Sequence, residues 1–373
     1  MKTVDVEKKL QNLIDKIVKS DKLVRNAILA VSTGDGELNW SGATGLADPE
    51  ENQPMTVDTP VFIASITKMF TATAVMILFE KNKLKLNAPI SDYLPSSLIN
   101  GIHVYKGKDY TDQVLVRHLL SHTSGIPDYY IKVPEDGPSF SKLIFSEPDR
   151  EWTPEETVAF ARDKLTPDFV PGEKASYADT NFQLLGFITE SITGQPLHDV
   201  YRELIWEPLG MKHTYLYKRC EAIDPDIKKP AHFFSNNIDL TFVKGYYSSW
   251  ADGGIISTME DSLRFIKAFN SGKLFSNEKT RSLMREWVKL QKGMYYGFGT
   301  MRFVLPEIFF LLFRYPNLIG HSGSTGSFLY YCEKLDFYMA GTVNQTKYEQ
   351  KHFQIMLKVI NIIRKLKKER ARN

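Results

Sequence analysis

The sequence has few cysteines, no long apolar run and little net charge. Its 373 residues include only two cysteines, Cys220 and Cys332, which are far apart and outside any CxxC pair. This scarcity argues against a disulfide framework or a structural zinc site. No apolar run reaches ~18 residues, so no segment is long enough to cross a bilayer as a helix. A net charge of +3, with no basic stripe interleaved with aromatic residues, argues against a nucleic-acid partner.

The opening segment, residues 1–21, lacks the apolar core of a signal peptide. Instead Val6, Leu10, Leu13 and Ile17 fall on one face of a predicted amphipathic helix. We therefore expect a cytoplasmic protein, or a periplasmic or extracellular one if a leader has been removed.

Patterns typical of β-strands occur at both ends of the chain. AILAVST and LNWSGATG flank the turn sequence GDGE and predict a hairpin near the N-terminal end. From about residue 294, short β-type runs separated by glycines predict an antiparallel meander. Between these regions, TMEDSLRFIKAF predicts a helix that begins after a threonine cap at Thr258.

The middle of the chain carries helical patterns separated by long polar loops. We therefore predict an α+β fold, a three-layer α/β/α sandwich with an antiparallel sheet built from both chain ends. Residues 1–75 and 250–373 form the sandwich, and residues 76–249 form an inserted, mostly helical subdomain. The active site is expected in the cleft between the two.

FIASITKMF, residues 62–70, places Ser65 and Lys68 three residues apart at the start of a helix that is apolar nearly all round. Residues at this spacing share a helix face, with about 5–6 Å between their Cβ atoms. Burial disfavours a charged lysine, so we expect a neutral amine that accepts the serine proton. The helix start also places N–H groups beside a developing oxyanion. The alternative is a capping serine and a lysine that reaches solvent.

Two further segments provide candidate partners for Ser65. SYADTNFQLLGFITESITG places Tyr177 just before a helix that begins near Thr180 and ends at Gly194, where its phenol can serve as general base and then acid. The alternative is a half-buried aromatic at a helix start.

GHSGSTGS, residues 320–327, follows a short apolar run. Its glycines, Gly323 among them, let the backbone approach a ligand closely. The amide of Ser324 is a candidate oxyanion donor, and His321 is expected to face the cleft as a hydrogen-bond donor or a substrate contact. The alternative is a histidine with satisfied hydrogen bonds in the core or at an edge.

These three segments, in this order, resemble the penicillin-recognising serine hydrolases, and among them the class C β-lactamase-like group of esterases, DD-peptidases and D-aminopeptidases. VRHLLSHTSGIPDY, ADGGIISTMEDSLRFIKAF and YGFGT are further similarities, and the resemblance covers roughly residues 20–345. It implies that Ser65 is acylated and that Lys68 and Tyr177 share proton transfer. It also implies an oxyanion hole formed by the Ser65 and Ser324 amides, with no metal or cofactor.

Two departures from the family pattern affect the expected substrate. Asp179 stands where the family usually has Asn, and an ionised Asp only accepts hydrogen bonds, so it tends to keep Lys68 charged and to favour a substrate amine. His321 replaces a fixed positive charge, which weakens capture of a substrate carboxylate. We therefore expect a carboxylesterase acting on small esters or amides. A D-aminopeptidase, a DD-peptidase and a weak β-lactamase are the alternatives.

Other classes of protein fit the sequence less well. His118 and His122 have the spacing of a zinc helix, but the Glu of HExxH and a third ligand are missing. The G-x-S-x-G elbow of an α/β-hydrolase is absent. A non-catalytic binding protein with this fold remains an alternative because of Asp179.

RFVLPEIFFLLFRYPNL, residues 302–318, is an unusually apolar segment. It predicts either a long core hairpin or an apolar wall beside the active site. A peripheral membrane contact through residues 304–315 is a further hypothesis, to which the basic C-terminal helix adds attraction for anionic lipid.

Overall fold

The structure is a computed structural model that describes residues 3–348 and 351–371. In chain order its strands are β1 (Asn26–Thr33), β2 (Asn39–Asp48), β3 (Gln53–Pro54), β4 (Val61–Phe62), β5 (Val104–Tyr105), β6 (Lys108–Asp109), β7 (Tyr215–Leu216), β8 (Phe234–Ser235), β9 (Ile238–Asp239), β10 (Ile255–Ser257), β11 (Val288–Gln291), β12 (Met294–Tyr296), β13 (Met301–Phe303), β14 (Leu318–Ser322), β15 (Phe328–Cys332) and β16 (Phe337–Thr342). Its α-helices are α1 (Thr3–Ser20), α2 (Thr67–Glu80), α3 (Ser96–Ile99), α4 (Val116–Leu120), α5 (Phe140–Ser146), α6 (Pro154–Lys164), α7 (Asp179–Thr193), α8 (Leu197–Tyr201), α9 (Glu207–Leu209), α10 (Met259–Ser271), α11 (Glu278–Leu283), α12 (Leu305–Ile308) and α13 (Lys351–Arg370).

The main sheet has nine strands in the order β11-β12-β13-β14-β15-β16-β1-β2-β3, and every pair in it is antiparallel. The first and last parts of the chain meet at its centre, where Leu29 of β1 pairs with Gly341 of β16. The predicted hairpin is β1–β2, with Val31 opposite Trp40. The expected sheet built from both chain ends is confirmed.

Helices cover both faces of this sheet. The apolar face of α1, including Val6 and Leu10, is buried against β1, β2 and α13. On the other face α10 packs against β1, β15 and β16. All eight residues of β1 are buried, as expected for a strand covered on both sides. The predicted α+β sandwich is confirmed.

Short-range signals set the ends of two helices near the site. The Thr258 side chain accepts the N–H of Asp261 and begins α10, and Gly194 ends α7 in a left-handed conformation with φ of 67°. Both ends were predicted from the sequence.

The segment between β4 and β10 contains α2 to α9 and only short strands. Within it α7 packs against α2, α4, α6 and α8, and β10 pairs with both β4 and β7. The division of the chain at residues 76 and 249 stays a prediction. In the described ranges, no helix combines the length and the apolar character needed to span a membrane.

Candidate active site

Ser65 lies at a sharp turn between a strand and a helix. β4 ends at Phe62, Ala64 adopts a φ of 47°, and a 3-10 helix, Ala64–Ile66, leads directly into α2. A positive φ is unusual for alanine and indicates a backbone held in place by its surroundings. Ser65 is half-buried and lines a cavity, whereas Ala64 and Ile66 on either side are buried.

Lys68 lies one turn further along and is completely buried. Its Nζ is 3.2 Å from Ser65 Oγ and 2.7 Å from the carbonyl oxygen of Asp252. A third partner is Asp179 Oδ1 at the start of α7, 2.6 Å away. The predicted contact between the serine hydroxyl and the lysine amine is therefore present, and the amine has two further oxygen neighbours.

The charge on Lys68 differs from the expected neutral amine. Burial disfavours the charged form most strongly, but the carboxylates of Asp179 and Asp252 outweigh it, so the pKa of Lys68 is raised. The expectation of a neutral base took only burial into account and is wrong. The 2.6 Å contact between Asp179 and Lys68 agrees with the expectation that this carboxylate keeps Lys68 charged.

The phenol of Tyr177 is the third member of the group around Ser65. The Ser65 hydroxyl hydrogen-bonds to the phenol oxygen, and Lys68 Nζ lies 5.1 Å from the ring centroid. The imidazole of His122 packs on the Tyr177 ring with centroids 4.4 Å apart, and its Nδ1 accepts the N–H of Ala178 at 3.2 Å. His122 therefore supports both the ring and the backbone that carries it.

Tyr177 is protonated in the resting site. Its pKa is well above the usual value, first because the phenol is buried and second because Asp179 is close. An ammonium at Lys68 and a neutral phenol at Tyr177 leave no strong base beside Ser65. A base is generated as the pH rises and one of the two groups loses its proton.

Three carboxyl groups lie close together in the site, with Asp179 and Asp252 beside Lys68 and Asp128 beside Asp179. The Asp128 carboxylate accepts the N–H of Asp179 at 2.9 Å, and the Asp252 carboxylate accepts the Tyr129 hydroxyl at 2.8 Å. Burial, followed by repulsion from Asp179, raises the pKa of Asp128 to about 7 and that of Asp252 to about 6. Near neutral pH the site therefore carries more negative than positive charge.

The two predicted oxyanion donors border the same cavity. Ser65 and Ser324 both line it, and within the described residues neither backbone N–H donates to a protein acceptor. Ser65 is half-buried and Ser324 is exposed, so both amides are open to the cavity, and two such donors beside a nucleophile are candidates for binding an oxyanion.

Gly323 allows the end of β14 to approach the turn before Ser65. A Cβ at this position would lie 2.4 Å from the carbonyl oxygen of Ile63 and 2.2 Å from Ser327 Oγ. Ser327 Oγ also donates a hydrogen bond to that carbonyl at 2.9 Å. The close approach fixes the position of Ser324 relative to Ser65.

We expect Gly323→Ala to lower kcat by roughly 10- to 100-fold with a smaller change in KM, since a displaced oxyanion donor weakens transition-state binding. Steady-state kinetics on a small ester, with thermal melting to check the fold, measures this. Gly253→Ala is the matched control, because a Cβ there would meet its nearest atom at an ordinary 3.6 Å. Equal effects of the two substitutions would contradict the assigned role of Gly323.

His321 is buried and does not line the cavity. Its Nε2 is 3.1 Å from the hydroxyl of Tyr296 and its Nδ1 is 2.7 Å from the carbonyl oxygen of Ser322. Burial and the charge of Lys68 lower the pKa of His321 to about 3, so the imidazole is neutral. The expectation of a substrate contact is wrong: His321 supports Tyr296, one layer behind the site.

A cavity of about 270 Å³ opens in front of Ser65. The carboxylates of Asp179 and Asp252 form part of its wall, and the described part of the chain contributes no lysine, arginine or histidine to it. Lys218 stacks over the ring of Tyr217 without joining the wall. Seven aromatic side chains also line it: Phe62, Tyr129, Tyr130, Phe145, Tyr217, Phe233 and Tyr246.

The arrangement of a serine, a lysine and a tyrosine on this fold matches a known family. The family model described as Beta-lactamase matches residues 10–358. The chain belongs to the β-lactamase family. It is a serine hydrolase.

Three curated proteins illustrate the range of this family. Penicillin-binding protein 4* of Bacillus subtilis (strain 168) is 26% identical over 92% of this chain and 73% of its own length. The D-aminopeptidase of Brucella anthropi is 27% identical over 61% of this chain and 39% of its length. Esterase EstB of Burkholderia gladioli is 31% identical over 55% of this chain and 50% of its length. The chain thus matches half or less of the latter two proteins.

Solved structures share the fold along almost the whole chain. A D-stereospecific amidohydrolase from Streptomyces sp. superposes with a TM-score of 0.74 at 26% identity, covering 91% of this chain and 94% of that one. The fold of this β-lactamase family member is therefore that of the serine hydrolases it resembles.

Several residues of the site were not predicted from the sequence. Asp128 could have been singled out, because it ends the HTSGIPD segment, which is similar to a loop of the family. Nothing in the sequence indicates that it lies beside Asp179. The apolar wall expected from residues 302–318 is wrong, since none of them lines the cavity. The aromatic wall comes instead from separate segments that share no local pattern.

The described residues contain no cluster of three or more histidine, cysteine or acidic side chains suited to a metal ion. His118 and His122, the pair with zinc-helix spacing, have other roles. His118 Nδ1 accepts the N–H of Leu115 at 3.2 Å, and His122 packs on Tyr177.

Proposed function

We propose that this β-lactamase family member hydrolyses esters, and amides more slowly, whose acyl group carries a cationic amine. The observation that carries the proposal is the cavity wall, where Asp179 and Asp252 lie among aromatic rings and no basic side chain of the described residues is present. Carboxylates bind an ammonium through charge-assisted hydrogen bonds, and aromatic faces attract cations.

Ser65 is the proposed nucleophile. Its Oγ forms a bond to the acyl carbon, and the bond from that carbon to the leaving oxygen or nitrogen breaks. The Ser65 proton passes to Tyr177 in its phenolate form, which Lys68 stabilises, and then to the leaving group. Water hydrolyses the acyl-enzyme by the same proton route, while the amides of Ser65 and Ser324 stabilise both oxyanions.

Substrates that carry a carboxylate fit this cavity poorly. β-Lactams and peptides ending in D-alanine present a carboxylate, which would meet Asp179 and Asp252 without a free cation to bind it. Like-charge contacts in a partly desolvated site cost several kcal/mol. Efficient β-lactam hydrolysis and DD-carboxypeptidase activity are therefore disfavoured.

The names of the relatives include an esterase and a D-aminopeptidase, so they cover both ester and amide bonds. We place esters first, because the amine released from an amide must be protonated as its bond breaks, whereas an alkoxide leaves more easily. The D-aminopeptidase name supports an amine on the acyl side.

The test compares alanine methyl ester with N-acetylalanine methyl ester, as D and L forms, by proton release. The corresponding p-nitroanilides and a chromogenic cephalosporin complete the panel. We expect the free amines to exceed their N-acetyl forms in kcat/KM by about 10- to 100-fold, the effect of one charge-assisted hydrogen bond. Preference for the N-acetyl esters or the cephalosporin would overturn the proposal. No turnover and no acylated protein by mass would favour a binding protein.

Asp179→Asn should change selectivity and pH dependence together. Removing the carboxylate weakens binding of the substrate amine, so the preference over N-acetyl substrates should fall by about tenfold or more. It also removes the main charge that raises the pKa of Tyr177, so the pKa of the phenol falls and the phenolate base forms at lower pH. The rate on N-acetyl esters near neutral pH should rise by roughly tenfold for each unit of that decrease.

The measurement is a pH profile of kcat/KM for both kinds of ester. The profile should move to lower pH in Asp179→Asn, and the exposed Asp92→Asn is the control for a lost carboxylate elsewhere. An unchanged profile with unchanged selectivity would contradict both roles of Asp179.

A further inference from the structure

Residues 304–315 form a projection between β13 and β14 that is fixed at both ends. The N–H of Val304 donates to the carbonyl oxygen of Gly293 in the β11–β12 turn at 2.9 Å. At the other end, Asn361 of α13 donates a hydrogen bond to the hydroxyl of Tyr315 at 2.7 Å. The projection is therefore held in one position on the sheet and α13.

Large apolar side chains on this projection are exposed to solvent. Phe310 is 72% exposed and Phe313 is 66% exposed, and the rings of Phe309 and Phe310 pack on each other with centroids 5.2 Å apart. A contiguous exposed apolar group of this kind marks an interaction surface. We name it the apolar tip and define it as Ile308, Phe309, Phe310, Leu311 and Phe313.

Basic side chains lie beside the apolar tip. Arg364 of α13 donates to the carbonyl oxygen of Arg314 at 2.9 Å, which ties the helix to the projection. On the same helix Lys358, Lys365 and Lys368 are exposed, at spacings of seven and three residues that place them on one face. We name these five residues the basic flank.

Acidic groups near this surface do not cancel its charge. Glu307 accepts the hydroxyl of Tyr295 at 2.9 Å, and Glu369 lies 4.0 Å from the amine of Lys365. Five cations against two carboxylates leave the surface positive.

We propose that the apolar tip and the basic flank together dock on the surface of an anionic lipid membrane. Exposed phenylalanines enter the boundary between headgroups and acyl chains, and flanking lysines and arginines bind the negatively charged headgroups. Binding to an anionic membrane is strong when aromatic and basic side chains lie on the same face of a protein. Either kind of side chain alone binds the membrane weakly.

A second copy of the chain fits this surface less well. In a two-fold dimer the same patch faces itself, so the basic flank would lie near its own copy and repel it. Stable interfaces also bury about 800 Å² on each partner, more than five side chains on a narrow projection offer.

Docking through the tip leaves the active-site cavity open. β14 begins at Leu318, just after the projection, and Ser324 of the cavity follows its other end. A strand of five residues spans about 17 Å, so tip and cavity lie at opposite ends of one strand. The surface therefore anchors the enzyme, and its substrates enter from solution.

Sedimentation with lipid vesicles tests the proposal. We expect the protein to bind vesicles of phosphatidylcholine mixed with phosphatidylglycerol more tightly than phosphatidylcholine alone, with binding that weakens as salt is added. Phe310→Ser combined with Phe313→Ser should reduce the partition coefficient at least about tenfold, since two large apolar side chains no longer enter the bilayer. Lys365→Gln combined with Lys368→Gln should reduce it by about fivefold for each lysine.

Matched controls carry the same substitutions elsewhere. Phe242→Ser removes a phenylalanine that is 64% exposed, and Lys229→Gln removes an exposed lysine. Hydrolysis of a soluble ester confirms that each variant is folded. Equal binding to neutral and anionic vesicles, or unchanged binding by the Phe310/Phe313 variant, would overturn the proposal. The proposal would also be overturned if, without lipid, the wild type were an oligomer and the Phe310/Phe313 variant a monomer. That result would assign the tip to contact with a second copy of the chain.

Discussion

Ser65→Ala is expected to lower kcat/KM on every substrate by roughly 10⁴-fold or more, because no other side chain can take the acyl group in the same geometry. Ser65 lies at a backbone turn with hydrogen bonds to Lys68 and Tyr177. Within the described residues, Ser249 and Ser324 also line the cavity but make no hydrogen bond to that pair. The acyl-enzyme seen by mass after a rapid quench should disappear with the turnover.

The substitution removes only a hydroxyl from a half-buried site, so the variant should fold as the wild type does. Ser271→Ala, at the exposed end of α10, is the matched control and should retain activity. Residual turnover above about 1% that rises with pH would indicate that another oxygen in the cavity, or water, performs the attack.

The parts of the fold that could be predicted from sequence are those with local signals. The helix-starting Thr258 and the helix-ending Gly194 act within a few residues, so their effect is visible in a short stretch of sequence. The contact between Ser65 and Lys68 follows from helix geometry in the same way. The β1–β2 hairpin follows from its turn sequence.

The charge state of the site depends on residues that are distant in the sequence. Lys68 is charged because Asp179 and Asp252, from two other segments, lie against it. His321 is buried behind the site, where it forms a hydrogen bond with Tyr296. No pattern around either residue predicts this, because it arises only when the sheet, α2 and α7 pack together.

The projection at residues 304–315 shows the limit of composition as a guide. Its apolar run suggested a core hairpin or a wall of the cavity, yet Phe310 and Phe313 are exposed. Apolar side chains are usually buried, but here hydrogen bonds to the β11–β12 turn and to α13 hold the two ends of the projection, and the side chains between them are exposed.

Lys68→Met is expected to give a protein whose stability falls steeply as the pH rises. The side chain keeps its length and loses the ammonium that faces the carboxylates of Asp179 and Asp252, and Asp128 lies next to Asp179. Removing one partner of a buried ion pair typically costs about 3–5 kcal/mol, because the remaining charge is left uncompensated. Turnover should also fall by roughly 10²- to 10⁴-fold, since the Tyr177 phenolate loses its stabilising cation.

The pH dependence follows from the direction of the carboxyl pKa shifts. Folding raises the pKa of Asp252 to about 6 and that of Asp128 to about 7, so both bind protons more tightly in the folded than in the unfolded protein. Their contribution to stability is therefore present at low pH and is lost as the pH rises through these values. The wild type should lose some stability in this range, and Lys68→Met should lose much more.

Thermal melting between about pH 5 and pH 8 measures this difference. At the acidic end, where Asp252 and Asp128 are protonated, the variant should approach the wild type in melting temperature, and at the alkaline end it should melt well below it. Lys81→Met, at the exposed end of α2, removes a lysine from the same helix and should follow the wild type throughout. A constant difference across the range would show that the lost packing of Lys68, and not the carboxylates around it, sets the cost. Restored high-pH stability in Lys68→Met combined with Asp179→Asn would show that the uncompensated charge sets it.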